Sequence, residues 1–277
     1  MLPDVKRIAF FALFALLNCQ QRHVDPAYEQ EIKTWQSNRA ARLKAEDGWL
    51  SLVGLQWLNA GDNALAGTGK FVLNNGKVTY TPDAGGAPME LRDDTDPAGP
   101  TVIQQGTKRI TVIKRNDKYG LRIKDANSPA RTHFRGLDYF PVNPKWRFVA
   151  RFEPYNPPHK VPITNVLGMT SDETSPGQLA FDVDGQTYRV QPILEQGEKD
   201  WFLIFKDATA GHETYAAARY VYTHPPGPDG TTVLDFNKAY NPPCAFTTYA
   251  TCPLPPPQNK LPFRIEAGER KYRGSAH

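Results

Sequence analysis

The chain predicts a mainly β protein, built from antiparallel β-sandwich- or barrel-like units with one N-terminal α-helix. Three observations carry that expectation. Short runs rich in β-branched and aromatic residues recur at intervals of roughly 8 to 15 residues. Turn signals separate them, and two, Asn75-Gly76 and Asp184-Gly185, suit the positive φ angles of two-residue hairpin turns. The composition agrees: 25 prolines and 21 glycines, with 12 tyrosines and 14 phenylalanines, fit many strands with defined turns better than a helical bundle.

Taken in order, the chain opens with Lys6-Arg7 ahead of an apolar run over residues 8–17. That run is shorter than the about 20 residues a bilayer span needs and has the proportions of a signal h-region. Leu16-Leu17-Asn18-Cys19 resembles a lipoprotein processing box, in which the thiol of Cys19 is acylated. Asn18 departs from it, since a smaller residue is usual there. Residues 1–19 are therefore expected to be a signal peptide, and the mature protein an exported one. It would be periplasmic or at the cell surface, held to a membrane by lipid on Cys19.

Residues 20–46 read as a tether and a helix over 28–45. Tyr28, Ile32, Trp35, Arg39 and Leu43 recur at three- and four-residue steps and form one stripe. Arg39 on that stripe is expected to snorkel, or else to point into a site, and Gly48 to stop the helix. Residues 47–131 read as a small antiparallel β unit. Its stretch 49–58 is apolar on all sides and is expected to be buried. Strands follow at 71–73 and 78–80 around Asn74-Asn75-Gly76-Lys77, then at 101–105, 109–114 and 119–124, with 83–100 as a loop.

Residues 132–277 read as a larger sandwich or barrel unit, after an irregular aromatic stretch at 132–144. From 146 to 153 the pattern alternates: Trp146, Phe148, Ala150 and Phe152 take one face, and Arg147, Val149, Arg151 and Glu153 the other. Strands are expected at 179–183, 186–190, 201–205, 215–222, 231–236 and 263–266.

Composition and motifs remove several function classes. The net charge is +4 and the basic residues are scattered, so no nucleic-acid partner is expected. No G-x-S-x-G or H-E-x-x-H occurs; His212-Glu213 runs on into Thr214-Tyr215. Gly67-Thr68-Gly69-Lys70 lacks a phosphate loop's first glycine, where Ala64 stands, and its Ser/Thr, where Phe71 stands, so it reads as a turn. No cofactor is implied and no metal site is expected. After the leader no segment is apolar enough to cross a membrane, so the lipid would be the sole membrane contact.

The densest chemistry lies at 234–269, which alternates prolines with Asn, Asp and Tyr and ends in a Pro-rich loop. Asp235, Asn237, Tyr240, Asn241 and Asn259 are ligand-binding candidates there, or else satisfy the loop's own backbone as Asx-turns. Arg147, Arg151 and Arg219 share strands with apolar residues and either line a concavity or form a solvent face. Cys244 and Cys252 are the disulfide candidate, a bridge worth about 2–3 kcal/mol in an exported protein. Buried thiols and a metal or redox pair are the alternatives, and no neighbouring histidine completes a zinc set.

The same segment resembles a known family. Leu234-Asp235-Phe236-Asn237, Tyr240-Asn241-Pro242-Pro243-Cys244-Ala245-Phe246, Cys252-Pro253-Leu254-Pro255-Pro256 and Ala267-Gly268-Glu269 look like the C-terminal signature of a bacterial and archaeal family catalogued as domain of unknown function 1684. The blocks Gly48-Trp49-Leu50-Ser51-Leu52-Val53-Gly54-Leu55 and 136–141 look like it too, so the resemblance spans roughly residues 30 to 272. It implies a shared fold and no catalytic residues. Similar sequences without export signals would keep the cysteine pair reduced.

The functional expectation is a protein binding a small molecule or glycan in a pocket walled by 234–269. One alternative is a small-molecule or glycan hydrolase using Asp235, Glu266 or Glu269 with a histidine. Another is a structural envelope protein. Catalytic residues stay unassigned.

Overall fold

A computed structural model describes residues 24–274. The expected signal peptide and Cys19 lie outside the described residues. Helix α1 (Pro26–Lys44) starts where Asp25 caps it, its carboxylate accepting from the Ala27 N–H at 2.9 Å with Pro26 at the first helical position. Of the stripe, Ile32, Arg39 and Leu43 are buried.

The first half of the chain forms β1 (Leu52–Trp57), β2 (Gly61–Leu65), β3 (Gly69–Asn74), β4 (Lys77–Pro82), β5 (Met89–Leu91), β6 (Val102–Gln105), β7 (Lys108–Arg115) and β8 (Lys118–Asp125). They pair into two antiparallel sheets, β2-β3-β4-β5 and β1-β8-β7-β6, around a core that includes Phe71, Val78, Ile110, Val112 and Leu121. A one-turn helix α2 (Pro129–Thr132) follows. The second half forms β9 (Arg147–Thr164), β10 (Thr170–Val183), β11 (Gln186–Val190), β12 (Trp201–Phe205), β13 (Arg219–Thr223) and β14 (Thr231–Asp235). Here the order is β11-β10-β9-β14, with a two-stranded β12-β13 ladder packed against it. Leu179, Phe181, Leu203, Phe205, Val221, Leu234 and Phe236 fill the space between. The architecture is mainly antiparallel β with one long N-terminal helix, as expected.

Local signals translate directly. Asn75 (φ 48°) and Gly76 (φ 74°) turn β3 into β4, and Asp184 (φ 50°) and Gly185 (φ 83°) turn β10 into β11. Both have the two positive φ values of a type I′ turn. The alternation at 146–153 also holds: Trp146 and Ala150 are buried while Val149 is 68% exposed.

Other expectations change for physical reasons. The apolar stretch 49–58 is buried only at Leu50, Ser51 and Leu52, because β1 lies at the edge of its sheet. The loop expected at 83–100 holds β5. β9 runs on through Pro154, Pro157, Pro158 and Pro162, residues that argue against a strand because each removes a ladder donor. Its pairing with β10 slips between Ser175 and Gly177, where a Cβ on Gly177 would collide with the Glu153 carbonyl oxygen. Residues 263–266 are no strand. Their backbone is held by buried side chains instead: Arg219 Nη2 donates to Ile265 O at 2.9 Å, and Ile265 N donates to Asp207 Oδ2 at 2.8 Å.

Candidate functional site

The β12–β13 register sets Phe202 opposite Tyr222 and Ile204 opposite Tyr220. With a two-residue side-chain period, Trp201, Leu203 and Phe205 then enter the main core, while Phe202, Ile204, Tyr220 and Tyr222 take the other face. Isolated antiparallel bridges extend this face beyond the two strands: Tyr220 to Tyr240, Ile193 to Phe202, and Thr174 to Leu194. An aromatic floor results. Tyr222 lies 5.0 Å from Phe202 and 6.3 Å from Tyr240, in both cases stacked, and Trp35 of α1 lies 6.4 Å from Tyr240.

Above this floor lies a cleft of about 910 Å³, bounded by α1, by Arg115 and Arg122 of β7 and β8, and by residues 250–253. The bridge from Thr174 to Leu194 places Glu173 opposite Glu195, and both line the cleft. Directly opposed side chains have Cβ atoms about 4.5–5.5 Å apart. Burial pushes the Glu195 carboxyl above the usual range and the charges of Glu198 and Glu173 add to that, against a hydrogen bond from Tyr222 Oη. Asp200, also on the wall, meets His224 Nδ1 at 2.6 Å.

The cations differ in how far they are already engaged. Arg39 does not snorkel: it is 7% exposed and donates to Glu269 Oε1 and the Asn241 carbonyl, each at 2.9 Å. It also lies 4.6 Å over the Tyr240 ring. Arg115 pairs with Asp94 at 2.9 Å. The Arg122 side chain makes no hydrogen bond or ion pair among the described residues; it stacks 5.1 Å over Trp49, and its Nε is buried without a partner. Burial, helped by the charge of Arg115, pushes the Arg122 guanidinium down to about 10.

Of the ligand-binding candidates singled out from sequence, Tyr240 alone lines this cleft, joined there by Arg39 of the helix stripe and Cys252 of the cysteine pair. Arg147 lies outside it, near Asp235 and over the Tyr28 ring, and Arg151 is exposed beside Glu153. Arg219 is 1% exposed and paired with Asp207 at 2.9 Å. Asp235 and Asn237 are buried because Tyr28 of α1 covers them and donates to Asp235 at 2.9 Å. Asn237 exchanges two 2.9 Å bonds with the Asn143 backbone. Asn241 donates to Arg270 O, and its Oδ1 has no partner. Asn259 bonds both backbone groups of Gln191 and the Ile204 carbonyl. None of these asparagines lines the cleft; their side chains tie the C-terminal segment to distant backbone, while Asp235 satisfies the loop's own backbone by accepting from the Asn237 N–H at 2.9 Å. The hydrolase candidates are likewise apart: Glu269 is fully buried on Arg39, and Glu266 is exposed beside Arg264.

Cys244 and Cys252 are free thiols, so the expected disulfide is not formed. Both are buried in one apolar cluster, and the Cys244 N–H donates to Cys252 Sγ at 3.0 Å. A hydrogen bond with Cys252 pulls the Cys244 thiol down, while burial pushes Cys252 up. No group of three or more His, Cys, Asp or Glu among the described residues could hold a metal.

Arg122, Glu173, Glu195 and Tyr222 are the cleft residues that sequence reasoning missed. The one local signal was a strand at 201–205 apolar on both faces.

Comparison with known proteins adds a family and no activity. The solution NMR structure of an uncharacterized protein from Haloarcula marismortui matches at 32% identity, covering 50% of this chain and 78% of that one, with a TM-score of 0.43. A search of curated proteins finds no match. The family model described as "Protein of unknown function (DUF1684)" matches residues 132–270, which include the floor, Glu173 and Glu195 but neither α1 nor Arg122. This chain belongs to the DUF1684 family.

Proposed function

We propose that the protein binds a small ring-bearing molecule, a sugar foremost, in the cleft between α1, the β12–β13 face and the segment 234–269. The observation that carries this reading is the open aromatic floor. Tyr222 is 38% exposed and Tyr240 half-buried, although both belong to a continuous ring stack. Flat rings beside convergent carboxylates and arginines suit a ligand with an apolar face and a polar rim. A purely structural role leaves that wet floor without a use.

A thermal-shift screen over sugars, organic acids and phosphorylated metabolites tests the reading. A ligand at a hundredfold excess over its Kd stabilises by about 2.7 kcal/mol. Tyr222→Ala should abolish that shift while keeping a cooperative melt. A screen without any stabilising ligand sinks the proposal.

A second reading, a glycan hydrolase, is favoured by Glu173 and Glu195 facing one another, since such enzymes divide acid and base roles between two carboxyls. Product release by the wild type and not by Glu195→Gln, with binding kept, would select it.

Export and lipid attachment at Cys19 belong to the same proposal, motivated by Lys6-Arg7, the apolar run and the Cys19 box. Among the described residues no helix is long and apolar enough to cross a membrane. Cys19→Ser should move the protein out of the membrane fraction and remove the lipid mass. An unchanged mass and fractionation would refute attachment there.

A further inference from the structure

We infer that the ligand is acidic, a sugar bearing a carboxylate or phosphate, and that Arg122 with Arg42 forms the subsite for its anionic group. This rests on the ligand-binding reading of the cleft.

Five cations line the cleft, and three are already engaged. Arg39 holds Glu269, Arg115 holds Asp94, and Lys238 holds Glu31. Arg42, one turn beyond Arg39 on α1, has no ion pair or hydrogen bond among the described residues and is exposed. Arg122 is the stronger observation. Among the described residues its buried Nε has no acceptor and its guanidinium is backed by Trp49; of its charged neighbours Arg115 is repulsive, and the attractive Asp94 is already paired with Arg115. A buried donor of this kind is ordinarily satisfied. An oxyanion in the cleft would meet the terminal nitrogens of this guanidinium, which are not buried as Nε is, and would neutralise the local positive charge. The planar guanidinium fork matches the two oxygens of a carboxylate or phosphate.

The opposite sign is present too, and it orients the ligand. Glu173, Glu195 and Glu198 line the cleft without a cationic partner among the described residues. Carboxylates accept from sugar hydroxyls and repel a second acid, so the anionic group belongs at Arg122 and the hydroxyl edge at Glu173 and Glu195. An amino sugar would reverse this polarity.

Isothermal titration of the full-length protein with glucuronate, galacturonate, glucose 6-phosphate, glucose and glucosamine provides the test. At least one acid should bind tenfold or more tightly than glucose and glucosamine, with the gap narrowing in high salt. The ranking of uronates against the phosphate tells which oxyanion the subsite takes. Arg122→Gln should weaken the acids tenfold or more and leave any glucose binding unchanged, with Arg122→Lys recovering part of the loss. Arg42→Gln, on an exposed helix position, should weaken the acids less, and it keeps the test available if Arg122→Gln fails to fold. Glucose binding as tightly as the acids, with sensitivity to Tyr222→Ala, would overturn the anion subsite and leave the sugar cleft standing. Preference for glucosamine would overturn it in favour of the acidic wall. No binding by any of the five would remove both.

Discussion

Glu269→Ala is expected to destabilise the protein by about 3–5 kcal/mol, the range for removing one partner of a buried ion pair. Domains of this kind have about 5–15 kcal/mol in total, so a large part of the stability is at stake. Glu269 is 0% exposed; its Oε1 accepts from Arg39 Nε at 2.9 Å and its Oε2 from the Asn241 N–H at 2.8 Å. The substitution leaves Arg39 with the Asn241 carbonyl as its one hydrogen-bond acceptor among the described residues. Burial pushes the Glu269 carboxyl above its usual range, against the pull of Arg39. The pair is therefore costly to assemble, and an apolar pair should recover part of the loss, short of the two Asn241 backbone groups it leaves unpaired. Chemical denaturation of Glu269→Ala against the double variant Arg39→Met, Glu269→Leu checks this. Recovery in the double variant supports the uncompensated-charge account, whereas a single variant within 1 kcal/mol of wild type would refute it.

Asp207→Ala is expected to cost a similar amount, about 3–5 kcal/mol, for a different reason. Asp207 Oδ1 holds Arg219 at 2.9 Å, and Oδ2 accepts from the Ile265 N–H at 2.8 Å. Arg219 in turn donates to the carbonyls of Ile265 and Ala267. Two side chains thus take the place of a strand partner for 265–267. Removing the carboxylate leaves a guanidinium 1% exposed without its ion-pair partner. Hydrogen exchange should show the amide of Ile265 losing its protection in the variant. An unchanged exchange rate there would mean that the segment is held by packing alone.

What was legible in the sequence was local. Asn75-Gly76 and Asp184-Gly185 specify hairpins because φ preference acts within two residues. The stripe at Tyr28, Ile32, Trp35, Arg39 and Leu43 specified a helix and its inner face for the same reason. The site was not local. Trp35, Arg122, Glu173, Glu195, Tyr222 and Tyr240 come together through single bridges and the docking of one helix, none of which leaves a periodic mark. The chemical density at 234–269 was real, yet apart from Tyr240 its polar candidates anchor the segment. Asn237, Asn241 and Asn259 bond backbone from residues 143, 270, 191 and 204. Prolines hid the length of β9, since their usual meaning is the end of a ladder.

The attachments of α1 also set an order of events in time. Its Tyr28 bonds a residue 207 positions away, and its Arg39 one 230 positions away. The helix is the first described element to be synthesised and among the last to find its polar partners, because those lie in the final stretch of the chain. Contacts of such separation form late. A nascent or truncated chain ending short of Glu269 would present Trp35, Arg39 and Arg42 on an undocked helix, with the floor uncovered. Docking of α1 over the floor would therefore wait until Glu269 has been made and has met Arg39.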